Sequence, residues 1–262
     1  ELSDTDYLLR RKLADRRSSG ITLRRAAELV FASQGPDHPN ARVRVFRVLG
    51  SERRFGVEHN VEELPRIEAN LVDVLERTFS VVSGLICRPS RLRGTRFREV
   101  PEYPAFCWNE AVLNAVAHRD YSIEGRAIEV WFFDDRMEVT SPGGLPSEIT
   151  VDELVRGDRR HVSRNPRLVR TLVDLGFMRD QGEGTPRMFA EMAGQFLPEP
   201  TLQSAAREFS VTLRNTPTLT EDDHAFIGRL GGADLSGEEF RALLEAHRLS
   251  LIHISEPTRL RR

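Results

Sequence analysis

A chain of 262 residues, 39% hydrophobic and 30% charged, is long enough to bury a sizeable core as one large domain or two smaller ones. Its net charge of −2 gives no global attraction to nucleic acid, and its two cysteines, Cys87 and Cys107, are too few for a disulfide framework and lack metal-ligand spacing. No apolar run approaches the roughly 20 residues of a membrane span. The opening Glu1-Leu2-Ser3-Asp4 has neither an initiator Met nor a signal-peptide pattern, so a cytoplasmic protein cut short at its front is expected.

Near the start, Arg10, Arg11, Lys12, Arg16, Arg17, Arg24 and Arg25 form a basic cluster. Such a run either attracts phosphates, as a DNA contact would, or is a solvated helix face. Lys12 is the only lysine among 38 basic residues, a bias that suggests a GC-rich genome. A P-loop needs a lysine after a glycine-rich turn to reach the terminal phosphates. Lys12 sits in Arg-Arg-Lys-Leu without such a turn, which excludes a P-loop ATPase or helicase motor for this chain.

The spacing of Leu23, Ala26, Ala27 and Val30 predicts a helix over Thr22–Ser33, followed by a loop through Gln34–Asn40. Arg42–Leu49 alternates as a half-buried strand. Glu62–Leu85 reads as one long amphipathic helix, with Leu64, Ile67, Leu71, Val74, Leu75 and Phe79 on one stripe. A second helix, rich in Ala and Val, covers Trp108–Arg119. Ala127–Phe133 and Met137–Thr140 form a hairpin around Asp134-Asp135-Arg136.

Thr150 and Glu153 make a capping box that opens a short helix, and Asn165-Pro166 opens another that Gly176 stops. Glu208–Leu213 is expected as a last strand. Hairpin-paired strands among helices indicate an α+β fold, a two-layer α/β sandwich with a mixed sheet. After Thr216-Pro217-Thr218, helices over Glu221–Leu230 and Ser236–Arg248 suit either the start of a helix-turn-helix or winged helix, or a terminal helical hairpin packed on the main domain. The end, Leu249-Ser250-Leu251-Ile252-His253-Ile254-Ser255-Glu256-Pro257-Thr258-Arg259, resembles a translated sequencing adapter; the alternative is an ordinary C-terminal segment.

The chemistry is concentrated in the second helix. At about 100° per residue, Glu110 and Asn114 lie roughly 40° apart and share a face, with Val112, Leu113 and Val116 turned toward the core. Magnesium prefers oxygen ligands and keeps several waters, and a nearby carboxylate can take a proton from an attacking water. The same pair also suits a merely solvated face. Two glycine turns follow, Ser141-Pro142-Gly143-Gly144-Leu145-Pro146 and Gly182-Glu183-Gly184-Thr185-Pro186-Arg187-Met188, the second leading into a helix. Glycine lets backbone N–H groups approach a ligand, and a helix N-terminus favours an anion. Each turn alone is ordinary turn chemistry; their order after the Glu-x-x-x-Asn helix and strand pair is the informative feature.

Glu110-Ala111-Val112-Leu113-Asn114-Ala115-Val116-Ala117-His118-Arg119-Asp120-Tyr121, Asp134-Asp135-Arg136-Met137-Glu138-Val139, Ser163-Arg164-Asn165-Pro166 and the two glycine turns together resemble an ATP-binding domain of the GHKL group (gyrase, histidine kinase, MutL). The form they resemble is the "RecG-like C-terminal" domain of predicted transcriptional regulators, over about Ser19–Asn215. In that family a Schlafen-type AlbA domain precedes this region and a winged helix follows. The resemblance therefore implies a truncated AlbA-like tail over 1–18, the GHKL-like domain over 19–215, a partial helix-turn-helix or winged helix over 216–248 and adapter sequence over 249–262.

The same resemblance implies ATP and Mg2+ as cofactors. Glu110 matches the general base and Asn114 the magnesium ligand. Gly143 and Gly144 match the first glycine box, while Gly182 and Gly184, with Thr185, match the second. The wider GHKL pattern has an adenine-binding Asp where Ser141 stands, a departure that bears on adenine selectivity and on hydrolysis. His118 either borders the pocket or is a structural histidine. Arg164 and Asn165 either contact phosphates, or Asn165 is simply an N-cap before Pro166. The expected function is a nucleotide-binding module regulating DNA binding or homodimerisation. Its rivals are an ATPase coupled to DNA remodelling and a degenerate scaffold that binds protein only.

Overall fold

The structure, a computed structural model, describes residues 3–88, 90–93, 96–99, 101–157, 162–179, 182–216, 218–230 and 237–255. Helix α1 (Asp4–Arg10), capped by Ser3, is followed by a hairpin of β1 (Ala14–Arg17) and β2 (Gly20–Leu23). Helix α2 (Arg25–Phe31), strands β3 (Val43–Val48) and β4 (Val61–Glu63) and helix α3 (Leu71–Leu85) come next. A hairpin of β5 (Ser90–Arg93) and β6 (Arg96–Glu99) leads to the central helix α4 (Ala105–His118). Strands β7 (Ile128–Phe132) and β8 (Arg136–Pro142) precede helices α5 (Val151–Arg156), α6 (Pro166–Asp174) and α7 (Gly184–Gly194). Strands β9 (Thr201–Ala205) and β10 (Glu208–Arg214) and helices α8 (Glu221–Arg229) and α9 (Gly237–Ser255) complete the order.

Six strands form one mixed sheet in the order β4-β3-β7-β8-β10-β9, with only β3 and β7 parallel. Because side chains alternate along a strand, the register places Val45, Val130, Val139, Val211 and Leu202 in one row across the sheet. The four valines are buried, and they pack in one core with Ala111, Val112 and Val116 of α4 and with Val74, Leu75 and Val82 of α3. The intervening positions carry polar groups, such as Arg44 bonded to Glu63 at 2.9 Å, and Trp131 stacks on Phe46 with ring centroids 4.0 Å apart. This is the expected α+β two-layer arrangement. Among the described residues, no helix is long and apolar enough to cross a membrane.

The expected single helix over Glu62–Leu85 is two elements. Pro65 lacks an N–H and cannot sit inside a helix without cost, so Val61–Glu63 pairs with β3 as β4 and Ile67 bridges to Val43. Helix α3 starts only after Asn70, whose side chain accepts from the Asp73 N–H at 3.0 Å. Thr22 and Leu23 likewise belong to β2 and not to α2. Strand β9, polar and exposed at the sheet edge, has no apolar pattern and was not expected. At the other end, α9 continues through Ser255, so the first residues of the adapter-like stretch are helical; residues 256–262 and the Ser236 cap lie outside the described residues.

Candidate functional site

Helix α4 is buried on most of its surface because it lies between the sheet and helices α3, α6 and α7. Beyond Ala105 and Phe106 in its first turn, the side chains that escape this core are Asn109, Glu110, Asn114 and His118, of which His118 is exposed. Asn114 Nδ2 donates to Glu110 Oε1 at 2.9 Å, so the two residues predicted to share a face do touch. Burial pushes the Glu110 carboxyl above the usual glutamate range, opposed by the Asn114 hydrogen bond and the Arg187 charge. With the Asn114 amide nitrogen donating to Glu110, its carboxamide oxygen is the atom that could take a ligand.

Helix α7 brings the second glycine turn to the same place. A β-carbon on Gly184 would fall inside the Glu110 carboxylate, so only glycine allows this approach. Gly184 and Thr185 are the first residues of α7, and the Glu183 side chain makes no capping bond to the helix. The first-turn N–H groups are therefore not capped by that residue. Cys107 Sγ donates to the Met188 carbonyl at 3.5 Å and fixes the two helices together; burial pushes this thiol up to about 12.

The first glycine turn is assembled one step further along. Ser141 is buried and donates to the Ala115 carbonyl at 2.8 Å, which binds β8 to α4 beside Asn114. Gly143 has φ +99° and lies against Asp120, where a β-carbon would come within 2.6 Å of the Asp120 Cβ. Gly144 is covered by the Ala205 carbonyl of the β9–β10 hairpin. Arg164 donates to Asp120 Oδ2 and to the Gly144 carbonyl, both at 2.9 Å. The two turns are thus at opposite ends of the exposed α4 face, linked by Ser141 and the helix itself.

Sequence reasoning missed three roles here. Asn165 occupies the N-cap position of α6 but makes no capping bond there; its Nδ2 donates to the Ala117 and Arg119 carbonyls at 3.0 and 2.7 Å, closing the end of α4. Arg119 is fully buried, donates to the Ile123 and Arg126 carbonyls and lies 5.1 Å from the Tyr121 ring centroid. Arg187 stacks 4.0 Å over Phe106, one turn before Glu110. The compact His-Arg-Asp-Tyr stop after an apolar helix was the available signal for the second.

Two open clefts of about 550 and 510 Å³ lie elsewhere, one between α5, α7 and the start of β9, the other under Ser122–Arg126. Neither is lined by Glu110, which Gly184 covers, or by Asn114. Among the described residues, no three His, Cys, Asp or Glu side chains gather as a metal site. Magnesium at Asn114 would consequently need phosphate oxygens and waters to complete its shell, the usual state of a nucleotide-bound magnesium. An oxygen donor beside a carboxylate fits that demand.

A mixed sheet under a layer of helices, with the N-terminus of one helix against the polar face of another, is a two-layer α/β arrangement consistent with a GHKL-like fold. Residues 125–213 match the family model described as "Putative ATP-dependent DNA helicase recG C-terminal", so this third of the chain is similar to an ATPase-like domain of that type. The match takes in both glycine turns and begins after α4. The chain is also similar to the crystal structure of the DIP2311 protein from Corynebacterium diphtheriae, at 24% identity and a TM-score of 0.64, over 83% of this chain and 42% of that one. That likeness shows the shared fold, and the chain spans under half the length of that protein. No curated protein matches it.

Proposed function

We propose that this chain is the ATP-binding regulatory module of a bacterial DNA-binding transcriptional regulator, in which nucleotide biases DNA binding or dimerisation. The observation that carries the reading is the meeting of Glu110 and Asn114 with the glycine-led start of α7. Asn114 would hold Mg2+ through its carboxamide oxygen, and the N–H groups of Gly184 and Thr185 would receive phosphate oxygens. Gly143 and Gly144 shape the first turn, and Ser141 and His118 border the remaining pocket. Bound magnesium neutralises phosphate charge.

Glu110 and Gly184 are in contact, so admission of phosphates draws the first turn of α7 back from the carboxylate. The other members of the site stay in place, because Asn165 and Ser141 tie them to α4 and Arg164 ties the first glycine turn to Asp120 just after it. A second reading, ATP turnover, is favoured by Glu110 itself: a buried carboxylate with a raised pKa is a better proton acceptor for water than an exposed one. Residues 216–248 would then belong to a DNA-binding element beyond the nucleotide domain.

The test is a thermal-shift titration of the chain with ATP, with Mg2+ and with both. A ligand that binds only the native state stabilises it by about 2.7 kcal/mol at a hundred times its Kd. The reading expects a rise in Tm with the pair and none with Mg2+ alone. No shift at millimolar nucleotide supports the protein-binding scaffold instead.

A further inference from the structure

Residues 10–25 hold seven basic side chains and one acid, Asp15, in a chain of net charge −2. Leu13 and Ala14 are buried and root the β1–β2 ribbon in the domain, whereas every residue from Arg16 to Leu23 is exposed. The register pairs Arg16 with Ile21 and Arg17 with Gly20, so two consecutive arginines flank the Ser18-Ser19 turn and project to opposite faces of the ribbon. Three of the seven basic groups are spent on ion pairs: Arg11 with Asp174 at 2.6 Å, Arg24 with Asp15 at 2.7 Å and Arg25 with Glu124 at 3.9 Å. Arg10, Lys12, Arg16 and Arg17 pair with no acid among the described residues.

Helix α6 adds to this surface. Tyr7 and Arg11 both bond Asp174 at the end of α6, which holds α1 against it. Asp15 is held below the usual aspartate range first by its hydrogen bond from Arg24, then by the charges of Arg17 and Arg167, so the exposed first turn of α6 stands near the ribbon. The single carboxylate in the middle of the patch is already neutralised. Collecting unpaired cations raises the self-repulsion of a fold and stabilises nothing internally; an external polyanion accounts for it.

We propose that the β1–β2 ribbon, together with Arg167 of α6, binds the phosphate backbone of duplex DNA. A two-stranded ribbon fits the B-form major groove, about 12 Å wide, while arginine forks grip phosphates on either side. The Ser18 and Ser19 hydroxyls and the turn N–H groups supply further phosphate contacts of the kind that set register. The deep, narrow major groove of A-form RNA does not admit such a ribbon. The surface is independent of the nucleotide site and of α8 and α9.

The test is fluorescence anisotropy of a labelled duplex of roughly 20 base pairs with the full chain, between about 50 and 200 mM salt. Three phosphates neutralised, by Arg16, Arg17 and Arg167, give a slope of log K against log salt of about −2.7. Arg16→Gln with Arg17→Gln should make that slope shallower by about 2, and Arg167→Gln alone by about 1, each with an unchanged Tm. At the lower salt, the double variant is expected to bind at least tenfold more weakly. The proposal is overturned if the parent fails to bind at about 50 mM salt, if the variants keep the parental slope, or if duplex RNA or phosphatidylserine vesicles bind more tightly than DNA.

Discussion

Gly184 lies so close over the Glu110 carboxylate that no side chain can occupy its position without displacing Glu110. Helix α7 is therefore seated on α4 through a residue pair in which any larger residue at 184 requires the Glu110 side chain to move. Gly184→Ala should destabilise the fold by about 1–3 kcal/mol, the usual cost of overpacking. Adding Glu110→Ala should recover much of it, a coupling visible in a double-mutant cycle by urea denaturation. Strictly additive effects would show that the two residues are not in contact.

Asn165 separates two roles by chemistry. Asn and Asp are equally good N-caps, but a carboxylate cannot donate to the Ala117 and Arg119 carbonyls that Asn165 bonds. Asn165→Ala should cost about 1–3 kcal/mol, and Asn165→Asp should be at least as damaging. A well-tolerated Asp would assign the residue to α6 after all.

Burial raises the Glu110 pKa, so the folded state holds a proton that the unfolded state has released. The stability this lends is full below the ordinary glutamate range and is lost as pH rises through the raised value. Glu110→Gln, which can still accept from Asn114, removes the dependence. The variant should gain on the parent as pH rises from about 4 toward neutrality, as measured by denaturant midpoints across that range. Parallel pH profiles would contradict the buried carboxylate.

The α+β class, the Glu110/Asn114 face and the order of the glycine turns were legible because each rests on local periodicity or turn chemistry. The inward rows of β3, β7 and β8 follow from alternation alone. Tertiary pairings were not legible. Leu64 and Ile67 keep a helical spacing with α3, yet a proline and the β3 edge place them in extended chain. Strand β9 is polar, and only its partner β10 reveals it. The bonds of Asn165 and Arg164 reach across 20 to 48 positions of sequence, and no local pattern reports such a reach. The sequence also showed two glycine clusters without showing that Gly143 packs on Asp120 while Gly184 packs on Glu110.

Removal of residues 249–262 tests the anchoring of α9. Arg248 donates to the buried Asp223 at 2.6 Å and to the Thr218 carbonyl at 3.0 Å, so the helix is fixed at that point. Truncation after Arg248 should change stability by no more than about 0.5 kcal/mol, the range for surface changes. A larger loss in calorimetry would give the last helical turns a packing role.

The most direct test of the proposed nucleotide site is equilibrium binding of ATP with Mg2+ to Asn114→Ala, measured by titration calorimetry beside the parent chain. Asn114 is half-buried and among the described residues its side chain bonds only Glu110, and alanine suits an Ala-rich helix, so the variant should fold. The account predicts that metal-dependent binding disappears in the variant and that Glu110→Gln still binds while any hydrolysis falls, typically by about 10²–10⁴-fold. If Asn114→Ala binds ATP with Mg2+ as tightly as the parent, the site is not where α4 meets α7.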